Sequence, residues 1–371
     1  MKICVVLPSL GGGGAERLHI NLINNWLHNG HEVELVVLTS SHQENSIEEL
    51  VPKDCKLIFL RSRRIRSSLY RLIKHLQKNK YNIILAAMWP ITIITIIAAK
   101  ISFNKSKIFV SEHTVLSVSR SNELKVSEKL IRITSTIFYR LVDGLIAVSI
   151  GVKEDIVDLA NLKRNRIKVI YNPAAVKLKI PSDREVQELR EKLWKPHSEI
   201  RLLGVGSLKT QKGFDVLINA VNHLPPDLKK KCELIILGEG SKRAYLENLI
   251  DSFELNEHIS LPGFQIDPYP WFFSADIFVL SSRWEGFGNV IVEALESGLS
   301  IVSTDCKSGP AEILDNGKYG ELARIEDPED LSRCIIKVIN KKFDPNLLMA
   351  RAQDFSVDRI SKEYIKLFRE R

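Results

Sequence analysis

The chain has few cysteines, and their spacing fits neither a metal site nor a disulfide framework. Five cysteines occur in 371 residues, with no C-x-x-C pair and an odd total. Small secreted proteins use dense, even sets, so this count indicates a reducing cytoplasm. The histidines also lack the spacing of metal ligands, and no Asp-x-Asp pair ends a predicted strand, so we expect no bound metal.

Long apolar runs are nearly absent as well. The most apolar stretch is "IILAAMWPITIITIIAA" at 83–99, which is about 17 residues and reaches only the lower limit for a membrane span. Pro90 divides it into a strand-like half and a helix that begins at the proline. The early stretch "ICVVLPSL" continues into four glycines without a cleavage pattern, so we expect neither a signal peptide nor a membrane span.

Two common nucleotide-binding motifs are missing or incomplete. A phosphate loop ending in Gly-Lys-Ser/Thr is not found. Glycines follow the first predicted strand in "LPSLGGGGAERLHI", but Glu16 occupies the third glycine position, and "VVLTS" lacks the acid that binds an adenosine ribose. An ATPase or a dehydrogenase is therefore disfavoured. The glycines still let backbone amides approach a phosphate or sugar, although a tight turn alone would also explain them.

Positive charge is concentrated in the first half of the chain. Residues 1–180 hold 27 Lys and Arg against 14 Asp and Glu, a net +13, whereas the rest carries −5. Much of the excess lies in "RSRRIRSSLYRLIKHLQKNKYN" at 61–82. A basic amphipathic helix of this kind suits an anionic membrane surface, and we expect a peripheral contact through 61–80. The alternative is a solvated helix packed on a sheet. No nucleic-acid motif accompanies these charges, so we expect no nucleic-acid partner.

Short apolar runs alternate with helical patterns along the whole chain. Such alternation predicts α/β architecture with parallel sheets and helical crossovers. The length favours two domains, and the pattern restarts at "IRLLGVGS" after a segment rich in proline and charge, "YNPAAVKLKIPSDRE". We therefore predict two doubly wound Rossmann-like domains in series, 1–175 and 176–355.

The segment "SSRWEGFGNVIVEALESG" at 281–298 contains the most specific pattern. An apolar strand precedes it and a helix follows, with Asn289 expected to cap the helix and Gly298 to end it. Glu285 then lies at the carboxyl end of a strand and Glu293 one turn inside the helix, where open α/β sheets bind ligands. The alternative is an ordinary helix whose Asn289, Glu293 and Glu296 form a solvated stripe.

Two further residues have positions suited to chemistry. Lys212 precedes a glycine at a predicted helix start, where an ammonium and free amides can hold a diphosphate, although it would also be ordinary as an exposed lysine. His113 follows a predicted strand and can donate to a hydroxyl or exchange protons near neutral pH. As a lone histidine it is more often structural.

Taken in order, these motifs resemble the retaining, nucleotide-sugar-dependent glycosyltransferases of the GT-B fold, the large bacterial family that builds lipopolysaccharide, capsule and lipid-linked oligosaccharides. The resemblance covers essentially the whole chain. The segments that carry it are "GGGGAER", "SEH", "YNP", "VGSLKTQKGFDVLI", "LGEG", "LPGF", "ADIFVLSSRWEGFGNVIVEALESG" and "GPAEIL".

The resemblance implies a role for each candidate site residue. Glu285 would bind donor-sugar hydroxyls, Glu293 would bind the nucleotide ribose, and Lys212 would neutralise the diphosphate. His113 would face the donor sugar. The remaining donor-binding positions are Gly13 and Gly14, which would close over the diphosphate, and Ser207, Phe287, Gly288, Asn289 and Val290. Relatives commonly have arginine where this chain has Ser207, and either Lys209 or Arg283 would then compensate for the lost charge.

The resemblance also implies a GT-B fold with an interdomain cleft, and a last helix at 356–371 that returns to the N-terminal domain. The expected function is transfer of a hexose or N-acetylhexosamine from a UDP- or GDP-sugar to a lipid-linked or polysaccharide acceptor, with retention and without a metal or other cofactor. Such an enzyme would act in the cytoplasm, peripherally on the inner face of the membrane. The alternatives are a nucleotide-sugar epimerase of the same fold and a non-catalytic scaffold of a polysaccharide-assembly complex.

Overall fold

The computed structural model describes residues 1–11, 13–39, 47–62, 67–119 and 126–370. The chain divides into two compact units. Unit 1 comprises Met1–Val176 and Ser356–Arg371, and unit 2 comprises Lys177–Phe355. The sequence-based boundary at residue 175 lies one position before this division.

Unit 1 is built on a parallel sheet. Its strands are β1 Lys2–Leu7, β2 Glu32–Val37, β3 Lys56–Phe59, β4 Ile83–Ala87, β5 Lys107–Glu112, β6 Gly144–Ala147 and β7 Ile167–Val169. In the described part of the unit, these seven strands pair in the order β3-β2-β1-β4-β5-β6-β7. β1 and β4 are neighbours although β2 and β3 intervene along the chain, so the winding direction reverses between them.

Helices connect these strands. They are α1 Gly14–His28, α2 Ser68–Lys78, α3 Ile91–Ile101, α4 Leu116–Ser119, α5 Glu128–Phe138 and α6 Ile150–Ala160. Pro90 is the N-cap of α3, so the apolar run at 83–99 is a strand followed by a helix, as its proline predicts. Among the described residues, no helix has both the length and the apolar character needed to cross a membrane.

Unit 2 repeats the same architecture. Its strands are β8 Ile200–Val205, β9 Cys232–Leu237, β10 Ile259–Gly263, β11 Ile277–Leu280, β12 Ser300–Thr304 and β13 Glu321–Ala323. They pair in the order β10-β9-β8-β11-β12-β13. Its helices are α7 Asp183–Leu193, α8 Phe214–Asn222, α9 Pro226–Lys229, α10 Arg243–Ser252, α11 Tyr269–Ser274, α12 Asn289–Glu296, α13 Pro310–Ile313, α14 Pro328–Asn340 and α15 Pro345–Ala352.

The last helix, α16 Val357–Glu370, belongs to unit 1. Trp26 on α1 packs against the rings of Tyr364 and Phe368 at 6.0 and 5.9 Å. Asn25 donates a hydrogen bond to Asp358 at 2.8 Å, and the amide of Val357 donates to the carbonyl oxygen of Ala175 at 3.1 Å. Aromatic packing and these polar contacts therefore fasten the end of the chain to α1 and to the end of the first segment.

The two parallel sheets confirm the predicted fold class. The apolar runs of the sequence correspond to strands β1 to β12, because a strand covered by helices on both faces needs apolar side chains on both. β13 is the exception. It is only three residues long and lies at the sheet edge, so no apolar run announces it.

Part of the predicted membrane-contact segment, 61–80, lies outside the described residues at 63–66. The part described is mostly α2, where Leu72 and Leu76 are buried and Tyr70, Arg71 and Lys74 are exposed. This arrangement matches a solvated basic helix with its apolar side turned to the protein. Contact of this segment with a membrane stays a prediction.

Candidate functional site

The winding direction of unit 2 reverses between β8 and β11, which pair with each other while β9 and β12 lie on their outer sides. Loops that follow two such strands leave the same sheet edge in opposite directions, and ligands of open α/β sheets bind between them. The loop after β8 carries Ser207 and Lys212, and the loop after β11 carries Glu285. The topology thus brings Ser207, Lys212 and Glu285 to the same edge of the sheet.

Lys212 ends a short 3₁₀ turn, Thr210–Lys212, at the start of α8. The next residue, Gly213, has a φ of 60°, and a Cβ there would lie 2.1 Å from the carbonyl oxygen of Ser281. Only glycine permits so close an approach of the two loops. The hydroxyl of Ser281 in turn donates to the carbonyl oxygen of Lys212 at 2.8 Å. The backbone of the lysine is therefore held against the end of β11.

Glu285 is buried and pairs with Lys212. The Lys212 Nζ lies 2.6 Å from Glu285 Oε1, across 73 positions of sequence. Ser282 Oγ donates to the same oxygen at 2.6 Å, and the carbonyl oxygen of Ser282 accepts from Thr304 Oγ1 at 2.6 Å. A carboxylate with a cation and a hydroxyl beside it stays oriented in a site shielded from water. The ammonium has three protons and can donate to a ligand as well.

The glycines after Glu285 shape the start of α12. Gly288 is the N-cap with a φ of 102°, and Asn289 is the first helical residue, so the predicted capping by Asn289 is wrong. The cap residue has a left-handed backbone conformation, which favours glycine. Asn289 follows Gly288 and does not cap the helix. Phe287 is buried, with its ring 5.5 Å from that of Phe355. The start of α12 follows the loop after β11 at the carboxyl end of the sheet, and the dipole at a helix start favours an anion.

The loop after β12 supports this segment. A Cβ at Gly309 would lie 1.9 Å from the carbonyl oxygen of Phe287, so this position requires glycine. Ser308 Oγ donates to the carbonyl oxygen of Gly286 at 3.0 Å. The loop after β12 therefore holds the backbone of 286–288 in place. No sequence pattern predicted this role for Ser308 and Gly309.

Glu293 and Glu296 lie on α12 in different environments. Glu293 is the fifth residue of the helix and is half-buried, as is Val290 near its start. Glu296 is buried and accepts a hydrogen bond from the amide of Lys177 at 2.6 Å. The alternative of a fully solvated Asn289, Glu293 and Glu296 stripe is therefore wrong for Glu296, which holds the first residue of unit 2 against α12. Gly298 has a φ of 71° and follows the helix, as predicted.

Ser207, Lys209 and Arg283 lie in the loops around Lys212. Arg283 forms a bidentate pair with Asp215 at 2.8 and 3.0 Å and also contacts Glu326. Burial alone would raise the pKa of Asp215, but the hydrogen bonds and charge of Arg283 lower it instead. The charge of Arg283 is thus committed to two carboxylates. Ser207 and Lys209 are exposed on the loop after β8.

In unit 1, His113 follows β5 with its Nε2 2.7 Å from Ser111 Oγ. His19 on α1, which the sequence analysis did not single out, is buried with its ring centroid 5.1 Å away. Burial, and then the neighbouring His19, hold the pKa of His113 well below its usual range, and burial lowers the pKa of His19 to about 4. Both rings are neutral near pH 7 and offer hydrogen bonds rather than charge. The Nδ1 of His113 is buried with no hydrogen-bond partner among the described residues.

Glu112 directly precedes His113 at the carboxyl edge of the unit 1 sheet. It is the last residue of β5, and it is fully buried. Its carboxylate accepts from the amide of Trp89 at 3.0 Å, from Thr92 Oγ1 at 2.9 Å and from the hydroxyl of Tyr139. Burial raises the pKa of Glu112 to about 7 despite these donors. Glu112 therefore ties the start of α3 and the end of α5 to the carboxyl edge of the sheet.

The glycine turn after β1 is partly described, since Gly12 lies outside the described residues. Gly13 precedes α1 in an extended conformation, Gly14 is the first helical residue, and both are exposed. A Cβ at Gly13 would lie 2.3 Å from Glu16 Oε2, so glycine makes room for the side chain at the first turn. Burial raises the pKa of Glu16. The turn thus lies at the carboxyl edge of β1 with accessible backbone.

In the described ranges, no group of three or more His, Cys, Asp or Glu side chains is arranged to hold a metal ion. Whether the reaction needs a metal is a question of activity, and the expected metal independence stays a prediction.

Comparison with known protein families identifies the class of protein that has this fold and this candidate site. The "Glycosyltransferase Family 4" model matches residues 12–177, and the "Glycosyl transferases group 1" model matches residues 185–354. Together they account for most of both units. The chain belongs to the GT-B-fold glycosyltransferases, as its motifs predicted.

Relatives and solved structures agree with this assignment. The chain is 26% identical, over 98% of both sequences, to the N-acetylgalactosamine-N,N'-diacetylbacillosaminyl-diphospho-undecaprenol 4-alpha-N-acetylgalactosaminyltransferase of Campylobacter jejuni. It is 26% identical to the lipopolysaccharide core biosynthesis glycosyltransferase LpsE of Rhizobium meliloti, over 95% of this chain and 93% of that one. The crystal structure of Anabaena HepE in complex with UDP superposes with a TM-score of 0.81, at 21% identity and 99% coverage of both chains.

Proposed function

We propose that this glycosyltransferase moves a hexose or N-acetylhexosamine from a UDP- or GDP-sugar to a lipid-linked glycan, with retention of anomeric configuration and without a metal. The Lys212–Glu285 pair at the reversal point of unit 2 carries this proposal. It places a cation, a buried carboxylate and a glycine-capped helix start at one sheet edge. A sugar diphosphate needs those three groups, because it has an anionic leaving group next to neutral hydroxyls.

The donor is assigned to the second unit by this chemistry. Lys212 and the amides of Phe287, Gly288, Asn289 and Val290 face the diphosphate, where a helix start stabilises negative charge. Glu285 accepts from sugar hydroxyls. Glu293, farther along α12, accepts from the ribose. In this arrangement the diphosphate contacts Lys212 and the helix amides, and the hydroxyls of the sugar and the ribose contact Glu285 and Glu293.

Departure of the diphosphate requires compensation of growing negative charge. Preorganised donors aimed at that charge can supply the stabilisation that a metal gives in other enzymes. Lys212 provides most of it, and of the two compensating residues for Ser207 we favour Lys209, because Arg283 is already paired with Asp215 and Glu326. From unit 1, we assign neutral His113 to the donor sugar and the Gly13–Gly14 turn to the diphosphate.

The acceptor is assigned from charge and from one relative. The first 180 residues carry +13, which suits a diphosphate-linked glycan at an anionic membrane surface. The Campylobacter relative is named for transfer onto a diphospho-undecaprenol glycan. We infer a peripheral enzyme on the inner face of the cytoplasmic membrane that acts in surface polysaccharide or oligosaccharide synthesis.

Thermal shift against a panel of nucleotide sugars tests the donor assignment, since a ligand of the folded state raises the unfolding temperature. One UDP- or GDP-sugar should stabilise the protein, and Lys212→Gln should weaken its binding on the order of ten- to hundredfold by removing a charge-assisted contact. Lys231→Gln is the matched control, because Lys231 precedes β9 at the opposite sheet edge. Equal donor affinity in Lys212→Gln and the parent would contradict the proposal.

A further inference from the structure

Helix α5 exposes a row of apolar side chains. Leu130, Ile133, Ile137 and Leu141 are 49%, 47%, 52% and 44% exposed. They occur at intervals of three and four residues along α5 and the 3₁₀ turn that continues it, so they line one face, which we call the α5 stripe. The opposite face is buried through Ile131 and Ser135. The helix therefore has an inner face packed on unit 1 and an outer face that is apolar as well.

Basic side chains border this stripe. Lys129, Arg132 and Arg140 are exposed beside it on the helical surface. Arg132 pairs with Glu128 at 2.7 Å, and Arg140 donates to the carbonyl oxygen of Asn161 at 2.8 Å. An apolar stripe edged by cations is the arrangement of helices that lie in the surface of an anionic bilayer.

The basic helix α2 has the opposite arrangement. Its Leu72 and Leu76 are buried, and Arg71, Lys74 and Lys78 are exposed. Such a helix can be attracted to anionic headgroups, but it has few apolar side chains to insert among the lipids. The two helices therefore differ in what they can contribute at a membrane, and α5 has the penetrating surface.

The α5 stripe lies close to the candidate site edge of unit 1. The hydroxyl of Tyr139, at the end of α5, donates to Glu112, which directly precedes His113. Trp89 Nε1 donates to Thr134 Oγ1 at 3.3 Å, so the middle of α5 is joined to the loop after β4. A surface that held the α5 stripe would thus lie next to the carboxyl edge of β4 and β5.

We propose that the α5 stripe inserts into the interfacial layer of an anionic bilayer and seats the carboxyl edge of unit 1 at the membrane surface. The bordering cations contact the headgroups while the four apolar side chains enter the acyl boundary. The link to acceptor delivery rests on the proposed function, whereas the insertion itself does not. It is measured with vesicles and no sugar.

A site-specific fluorophore tests insertion directly. The five native cysteines are buried, so a cysteine introduced by Ile133→Cys is the accessible thiol for an environment-sensitive label. On addition of phosphatidylglycerol vesicles its emission should shift to the blue and be quenched by acyl-chain quenchers. The same label at Lys78→Cys on α2 should remain in an aqueous environment. A blue shift at Lys78→Cys with none at Ile133→Cys would overturn the proposal.

Vesicle sedimentation provides the second measurement. Ile133→Ser with Ile137→Ser should weaken binding on the order of tenfold for each side chain removed from lipid. Ile266→Ser with Ile325→Ser is the matched control, because both are exposed isoleucines of unit 2, and it should bind as the parent does. Unfolding temperatures and nucleotide-sugar binding show whether each variant still folds and whether the donor site is intact.

Light scattering distinguishes the other occupant of the stripe, a second copy of the chain. If the parent is a dimer that Ile133→Ser with Ile137→Ser dissociates, and vesicle binding is unchanged, the α5 stripe is a protein interface and the proposal is wrong. Loss of vesicle binding with donor binding retained supports insertion. If the parent protein itself transfers no sugar to a soluble acceptor, that result counts against the proposed function and not against insertion.

Discussion

At the scale of single residues, the sequence predicted Lys212 and Glu285 separately but not their pairing. Each had a recognisable setting, a glycine at a helix start for one and a strand end for the other. Their contact depends on β8 and β11 being neighbours, which no local pattern contains. Ser282 and Thr304 were missed for a related reason. Small polar residues at strand ends are common, and only the structure shows that they orient Glu285.

The two glutamates of the motif should differ in their kinetic effects. Glu285→Gln keeps the size and one acceptor of the side chain but removes its charge beside the reacting sugar. It should lower turnover on the order of a hundredfold at saturating donor, as loss of one preorganised electrostatic partner does. Glu293→Ala should chiefly raise the Michaelis constant for the donor, because ribose hydroxyls are unchanged between ground and transition states.

The control is Glu326→Gln, which removes one of the two carboxylates that pair with Arg283. It should leave the turnover and the Michaelis constant for the donor near those of the parent. Steady-state kinetics with varied donor provide the measurement. If Glu285→Gln turns over as fast as the parent, its charge has no catalytic role. If Glu293→Ala loses turnover with unchanged donor affinity, the two roles are reversed.

At the scale of helices and strands, the sequence predicted the element types but not which faces were covered. In α5, Ile131 is buried and Ile133 is exposed, although the two are chemically identical. Leu130 of the α5 stripe and the buried Ile131 are neighbours in sequence and only about 100° apart around the helix, so periodicity alone cannot separate the packed face from the α5 stripe. Gly288 likewise takes the cap position expected of Asn289, because the required left-handed conformation depends on the loop that follows β12.

The α2 helix is fastened to the sheet by a buried charge. Glu34 on β2 lies 2.7 Å from His75 Nε2 and 2.9 Å from Lys56 Nζ, and it also accepts from the hydroxyl of Tyr81. Burial by itself would raise the pKa of Glu34, but the hydrogen bonds from His75, Tyr81 and Lys56 lower it from 4.5 to about 2. The carboxylate is therefore more acidic in the folded protein than in the unfolded chain.

This lowered pKa predicts a window of acid sensitivity. The stabilisation is present above about pH 4.5 and is lost as the pH falls through about 2. Glu34→Gln should reduce the free energy of unfolding by about 2 kcal/mol at pH 7, since solvent screens the exposed Lys56 partner. The difference from the parent should shrink below pH 4.5. Chemical denaturation at several pH values provides the measurement.

Lys56→Gln is the matched variant, because Lys56 is largely exposed and its pair contributes little. It should cost no more than about 0.5 kcal/mol. A loss of stability in Glu34→Gln that is the same at pH 3 and pH 7 would show that the charge of Glu34 is not what stabilises this junction.

At the scale of the whole molecule, the repeated alternation of apolar runs and helical patterns predicted both doubly wound units. That prediction succeeded because each parallel strand must be apolar on both faces, and the runs are therefore easy to find. Donor identity, acceptor and linkage depend on a few loop side chains whose positions the sequence pattern does not contain. The match of two glycosyltransferase models to successive parts of the chain defines the class, and the chemistry of the site has to define the reaction.

We propose metal-independent transfer of a sugar from a nucleotide donor with retention at the anomeric carbon. Proton NMR of a single reaction tests it, with the donor chosen by thermal shift, a soluble acceptor analogue and a chelator present throughout. A retaining, metal-independent transferase should give a new anomeric signal with the donor's configuration, growing in step with released nucleoside diphosphate and unaffected by the chelator. A product of inverted configuration, a reaction that stops in the chelator, or an epimerised donor without diphosphate release would contradict it.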